Sequence, residues 1–263
     1  MPGPRGRAVR SGLRSIWADL HVHTVVSPCA EVEMIPPLII RRAQELGLGI
    51  LAVTDHNTAE NVAAVQRAAE GTEITVLAGM EVQSREDAHI LCLFDTVEQV
   101  LAWQEVVYAH LPDLKNNEEV FGAQFVVDET GDFVRMNERL LLTAAALSVS
   151  EVVAGVRDLG GLAIAAHVDR QAFSLLTSLG FMPPDLPLAA VEISRHTTPE
   201  KALARHRSLR GMPIIMSGDA HRLSEMCANT LVTLRAFPAP PSVEELDLAL
   251  RGEGGRAVEW VPR

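Results

Sequence analysis

Ile16-Trp17-Ala18-Asp19-Leu20-His21-Val22-His23 is an apolar run that ends in a His-x-His pair. Alternation along a strand turns both imidazoles to the same side, where they can reach one metal ion. Four further apolar runs end the same way, in residues that ligate metals. Residues 49–53 lead into Thr54-Asp55-His56, 74–78 into Gly79-Met80-Glu81, 162–166 into His167, and 213–216 into Ser217-Gly218-Asp219-Ala220-His221. A further run covers 188–193. Between the runs, residues 36–46, 58–70, 96–109, 150–159, 199–209 and 242–251 have helical periodicity, with Gly47, Gly71 and Gly211 placed to close helices. Strand and helix in alternation predict βα units around a parallel sheet. At 263 residues the chain has the length of one α/β barrel. All strand C-termini of such a barrel open on one face, which would gather these endings into one site.

One connection departs from the alternation. Residues 82–88 are too few for a crossover helix, so the strand ending at Glu81 and the one starting at His89 should form an antiparallel hairpin that makes Glu81 and His89 neighbours. Residues 111–139 break the rhythm and read as an insertion that could cover the mouth of the site. It contains a small hairpin in which 124–127 and 132–136 flank Asp128-Glu129-Thr130-Gly131. Residues 1–15, rich in Arg, Gly and Pro, read as a disordered tail ahead of a single domain over 16–263.

Composition narrows the function. No stretch approaches the roughly 20 uninterrupted apolar residues of a membrane span. There is no signal-peptide pattern. Cys29, Cys92 and Cys227 form neither a disulfide framework nor a CxxC pair, so a reducing, cytoplasmic setting is expected. The net charge of −11 argues against an extended nucleic-acid surface. It leaves small anionic substrates open, because metal dications would reverse the local sign of a pocket.

Imidazole nitrogen and carboxylate oxygen suit Zn, Mn or Fe. The motifs His21-x-His23, Thr54-Asp55-His56, Glu81 with His89, His167 and Asp219-x-His221, in this order, resemble those of the PHP (polymerase and histidinol phosphatase) family over most of the chain. The resemblance implies a distorted (β/α)7 TIM-like barrel holding two or three divalent metal ions and acting as a phosphoesterase. It further implies that His21, His23, Glu81 and Asp219 hold one ion, Glu81, His89 and His167 a second, with Glu81 bridging, and His56 and His221 a third. Where many members present His or Asp for that third ion, this chain has Ser27-Pro28-Cys29-Ala30. Cys29 can be a thiolate ligand, a placeholder beside which Glu31 or Glu33 reaches in, or the mark of an incomplete site; the first is adopted here.

Phosphate-ester hydrolysis needs a nucleophile at neutral pH and positive charge around the phosphoryl group. A water bridging two ions would be acidified to hydroxide while the ions neutralise the phosphate oxygens, so Glu81 and Asp219 serve catalysis through the metals. Asp19 and Asp55 would orient ligand imidazoles or hold loops. Arg170, Arg195 and Arg222 follow ligand motifs or strand ends and are candidate phosphate clamps. His196 would give a proton to the leaving group or only bind it. The expected substrate is a small phosphate ester or nucleotide, phosphomonoester or phosphodiester, with inorganic phosphate as product.

Other functions compete with this one. Amidohydrolases also place His-x-His after the first barrel strand, but their usual bridge is a carbamylated lysine, and the two lysines here, Lys115 and Lys201, lie in a predicted loop and helix. A metal-binding module without turnover would be expected to lose ligands, whereas the set here is nearly complete. A nuclease is disfavoured by the acidic charge.

Overall fold

The computed structural model describes residues 12–236 and 240–261. Of the tail expected over residues 1–15, residues 1–11 lie outside the described residues, and Leu13 already opens the first strand. In chain order the elements are β1 (Leu13–Val22), α1 (Pro36–Leu46), β2 (Leu48–Val53), α2 (Val62–Ala68), β3 (Thr75–Gln83), β4 (His89–Phe94), α3 (Val97–His110), α4 (Glu118–Phe121), β5 (Phe125–Val127), β6 (Phe133–Met136), α5 (Val149–Asp158), β7 (Leu162–Ala165), α6 (Leu175–Leu179), β8 (Ala190–Ile193), α7 (Pro199–Arg205), β9 (Ile214–Met216), β10 (Thr230–Arg235), α8 (Val243–Leu250) and β11 (Ala257–Trp260).

Nine strands form one nearly closed, barrel-shaped sheet in the order β11-β10-β1-β2-β3-β4-β7-β8-β9. The run from β1 to β9 is the expected distorted (β/α)7 barrel. The antiparallel pair β10 and β11, not anticipated from the sequence, is added on the β1 side. β4 runs against both β3 and β7. Its first residue, His89, therefore lies at the end where its neighbours finish. A parallel bridge between Val22 and Ala220 joins β1 to the segment after β9, through His23 N–H to Ala220 O (3.0 Å) and Ala220 N–H to His21 O (3.1 Å).

Two apolar layers follow from strand alternation. Ala18, Leu20, Ile50, Ala52, Leu77, Leu91, Leu93, Ile164 and Ile215 fill the barrel interior, and Val243, Leu246, Ala249 and Leu250 of α8 join them. Opposite faces of the strands pack under the other helices, with Trp103 of α3 among the largest buried side chains. A β-bulge in β1 between Asp19 and Val22 shifts its register against β2. Leu20 belongs to the interior layer and Val22 to the outer one, so the extra residue reverses the alternation and lets His21 and His23 face inward just above Leu20.

Local signals explain most helix ends. Pro36 starts α1 and Gly47, at φ 70°, ends it in the left-handed region; α3 and α5 carry complete capping boxes, Thr96 with Gln99 and Ser148 with Glu151. α2 is shorter than the expected 58–70. Thr58 donates to Gln104, and Asn61 bonds Thr24, Phe125 O and Val127 N–H, so these side chains serve tertiary contacts that compete with a helical turn. The insertion contains the expected hairpin, β5 with β6. It is fixed to the loops after β1 and β2: Phe125 N–H donates to Val25 O, and Asn57 Nδ2 donates to Leu141 O and Thr143 O. Among the described residues, no helix is long and apolar enough to cross a membrane.

Candidate metal centre

Six of the nine histidines, His21, His23, His56, His89, His167 and His221, converge at the end of the barrel where β1, β2, β3, β7 and β9 finish. Glu81, buried on β3, is at their centre. Its Oε1 lies 2.8 Å from His89 Nδ1, 3.2 Å from His167 Nε2 and 3.3 Å from His21 Nε2, and its Oε2 lies 2.9 Å from His56 Nδ1 and 3.5 Å from His23 Nε2. The β3–β4 register pairs Gln83 with His89, which puts Glu81 and His89 on one face as neighbours, as the hairpin predicts. A parallel bridge continues β2–β3 pairing to His56 and Glu81. Asp219 Oδ1 closes the ring from the other side, 3.3 Å from both His21 Nε2 and His23 Nε2.

The donor atoms fit cations better than they fit one another. His21 Nδ1 donates to the Glu192 carboxylate at 2.9 Å, so in the neutral ring Nε2 carries the lone pair, and it faces His23 Nε2 at 3.1 Å. Glu81 Oε2 and His167 Nδ1 are buried with no hydrogen-bond partner despite the crowd of nitrogens around Oε2. Unsatisfied buried acceptors pointing at one another are costly unless a cation lies between them. Three overlapping ligand groups meet this description: His21, His23 and Glu81; His56, Glu81 and His89; and His23, His56 and His221. His56, expected only in a third group, belongs to two of them, and His167 adjoins Glu81 without joining a group.

A surrounding shell orients these side chains. Glu192 of β8 holds His21 and also accepts from His167 N–H at 3.0 Å. Asp55 accepts from Thr24 and from Ser27 Oγ (2.7 Å), and Ser27 Oγ lies 3.1 Å from His23 Nδ1 and accepts from His56 N–H. Asp55 thus reaches His23 through Ser27. Asp19 does not touch a ligand imidazole side chain; it accepts from Gly218 N–H (2.8 Å) and Cys227 N–H (2.9 Å) and so anchors the loop that carries Asp219. His167 and Asp219 have positive φ, 29° and 45°. Non-glycine residues hold that conformation only where their surroundings enforce it. Glu192 and Ser27 were missed in the sequence; the available signal was a lone carboxylate in the apolar strand Val191-Glu192-Ile193.

Electrostatics follow the same geometry. Burial opposes the charge of Glu81, yet His89, His21 and His56 hold its carboxyl well below the usual range. Burial likewise opposes a charge on His21, which Glu192, Glu81 and Asp219 overcome, raising its pKa well above the usual value. Burial pushes Asp19 up to about 7, against the amides it accepts from. Cys29 is exposed as a residue, and its thiol lies beside His56 and His221, which bring it down to about 6.

The candidate clamps separate. Arg170 pairs with Asp219 at the cluster. Arg195 bonds Gly218 O and Glu225, 2.8 Å from the latter, which braces the loop after β9. Arg222 is exposed and pairs with Glu31 at 2.9 Å, and His196 is exposed on the loop after β8. The structure brings neither of the last two into the cluster.

In fold, the chain is similar to a lesion-specific endonuclease from Pyrococcus furiosus, with a TM-score of 0.67 and 19% identity, over 93% of this chain and 58% of that one. An endonuclease Q complex with a 27-mer duplex carrying an abasic lesion at its active site gives a TM-score of 0.62 at 19% identity, with the same coverage. A protein from Bifidobacterium adolescentis assigned as a metal-dependent phosphoesterase gives 0.51 at 19% identity, over 78% of this chain and 87% of that one. The chain thus spans less than two thirds of the endonuclease's length. No curated protein matches it in sequence. The duplex complex overturns the expectation, drawn from acidic charge, that no extended nucleic-acid surface exists. Net charge averages over the whole surface, whereas a nucleic acid meets one face, whose sign metal ions and nearby arginines set. The PHP domain family model matches residues 19–168, the segment that carries His21, His23, Cys29, His56, Glu81, His89 and His167, and the chain belongs to that family.

Proposed function

We propose that the chain is a metal-dependent phosphoesterase that holds two or three divalent ions, Zn, Mn or Fe, at the Glu81 cluster and hydrolyses a phosphomonoester or phosphodiester. The observation that carries this reading is Glu81 itself: one buried carboxylate within 3.5 Å of nitrogens from five histidines, with Oε2 lacking any hydrogen bond. His21, His23, Glu81 and Asp219 would hold one ion, Glu81, His89 and His167 with His56 a second, and His56, His221 and Cys29 a third. Bound ions would supply a nucleophile at neutral pH and positive charge around the phosphoryl group. Glu192 and the Asp55–Ser27 pair fix the tautomers of His21 and His23, so that Nε2 of each is free to ligate. Arg170, already drawn to the cluster by Asp219, can exchange that carboxylate for phosphate oxygens.

An amidohydrolase reading fares worse. Lys115 pairs with Glu138 on the exposed insertion and Lys201 is exposed on α7, so neither is available as a carbamylated bridge. The fold shared with a DNA-bound endonuclease makes a nucleic-acid phosphodiester a substrate to be tested beside small esters. Metal content by elemental analysis should show two or more ions per chain. Hydrolysis of a phosphomonoester, a phosphodiester or duplex DNA with an abasic site should depend on them. A protein that stays metal-free and inactive after incubation with Mn, Zn or Fe would sink the proposal.

A further inference from the structure

Phe173, in the loop after β7, is 46% exposed, yet its backbone and ring are both fixed to the cluster. Its carbonyl accepts from His89 N–H at 2.9 Å, and its ring stacks on the His89 imidazole with centroids 4.8 Å apart and an interplanar angle of 19°. The residue has φ 57°, a left-handed conformation that a bulky side chain rarely adopts. The next residue, Ser174, is buried and caps α6 by accepting from Thr177 N–H at 3.1 Å. The chain is thus held on both sides of a strained position, and the outcome of the strain is an aromatic ring laid over a cluster histidine while remaining open to solvent.

Scattered exposed apolar side chains are ordinary on protein surfaces. Strain that keeps one beside a buried polar cluster is not, because a relaxed backbone would cost less and strained residues concentrate where ligands are held. One imidazole separates the ring from Glu81, and Arg170 lies three residues earlier in the same loop, paired at the cluster with Asp219. The ring therefore lies one side chain away from the centre of the cluster.

We infer that Phe173 is a specificity-determining stacking platform for an aromatic base, and that the phosphate esters this site accepts are nucleotides or nucleic-acid ends rather than simple sugar phosphates. The inference rests on the phosphoesterase reading for what sits at the cluster, but its test reads binding and so separates the two. Stacking a base on an aromatic side chain changes affinity by roughly 5- to 100-fold.

The metal-loaded protein, Phe173→Ala, Phe173→Leu and Phe173→Trp would each be titrated with uncleavable phosphonate analogues of a nucleoside monophosphate and of ribose phosphate, with metal content measured on every sample. The wild type should prefer the nucleoside ligand by that factor, Trp should keep the preference, and Ala and Leu should lose it while ribose phosphonate binds as before. If Ala loses metal or fold, Leu, which keeps an apolar cover on His89, decides. Equal affinity of the wild type for both ligands, or equal weakening of both in Leu, overturns the inference in favour of a structural role. Preference without turnover on any ester would instead sink the phosphoesterase reading and leave the platform standing.

Discussion

The two ends of the barrel are filled with opposite chemistry. At one end α8 sends Val243, Leu246, Ala249 and Leu250 into the interior, and its carboxylate Glu245 meets Arg256 through two contacts of 2.8 Å. At the other end Glu81 and Asp219 sit among six imidazoles, and Glu81 Oε2 and His167 Nδ1 are left without a hydrogen-bond partner. The first end is closed by an ion pair of the chain's own side chains; the second has buried polar atoms that a cation could satisfy. Stability and function have been assigned to separate poles of one sheet, and each pole should respond to its own perturbations.

The largest effect should come from Glu81→Gln, which removes the charge shared among the ligand groups. Hydrolysis should fall by at least about 1000-fold, a loss of roughly 4 kcal/mol in the barrier. Hydrolysis retained by the variant would break the comparison. Leu246→Ala acts at the opposite pole, where Leu246 is 1% exposed. Denaturant unfolding should show a loss of about 2–5 kcal/mol with metal stoichiometry intact. Loss of metal at that distance would mean that the poles are coupled.

Glu192→Gln should be milder. The amide keeps shape but no longer fixes the His21 tautomer as a carboxylate does, and competition with a chelator should show metal affinity lower by about 10- to 100-fold. The smallest effect belongs to Glu245. Arg256 holds its carboxyl at about 2, below the usual carboxylate range, with burial opposing weakly. The pair therefore adds stability above pH about 4.5 that fades as pH falls towards 2. Glu245→Gln should lower stability at pH 7 by less than about 1 kcal/mol and leave the two proteins equal at pH 2. A gap that persists at pH 2 would assign the effect to packing.

The site was more legible than its support. Histidines and carboxylates at the ends of apolar runs announce themselves because ligand types are rare there, and the brevity of residues 82–88 was enough to place His89 beside Glu81. Glu192 escaped because its neighbours read only as a strand, and its role exists only once β8 lies beside β7 and faces His21. β10 and β11 escaped because short alternating segments carry weak signals until β1 offers an edge. Arg170 and Arg222 look alike in sequence, each just past a ligand motif, but one turns to Asp219 and the other to Glu31 at the surface. Charge misled because a total says nothing of where charges lie.

The bridge between Val22 and Ala220 has a bearing on biosynthesis. Leu20 N–H meets Ser217 Oγ across 197 residues of chain, and the His-x-His pair is completed by Asp219 from the far side of that closure. Contacts this distant form late, after the entropy of a very long loop has been overcome. A nascent chain that has emerged only as far as β8 has His21, His23, Glu81, His89 and His167 but no seam to close them against. The full donor set, with Asp219 and His221, is therefore assembled only when β9 and the loop after it have joined β1.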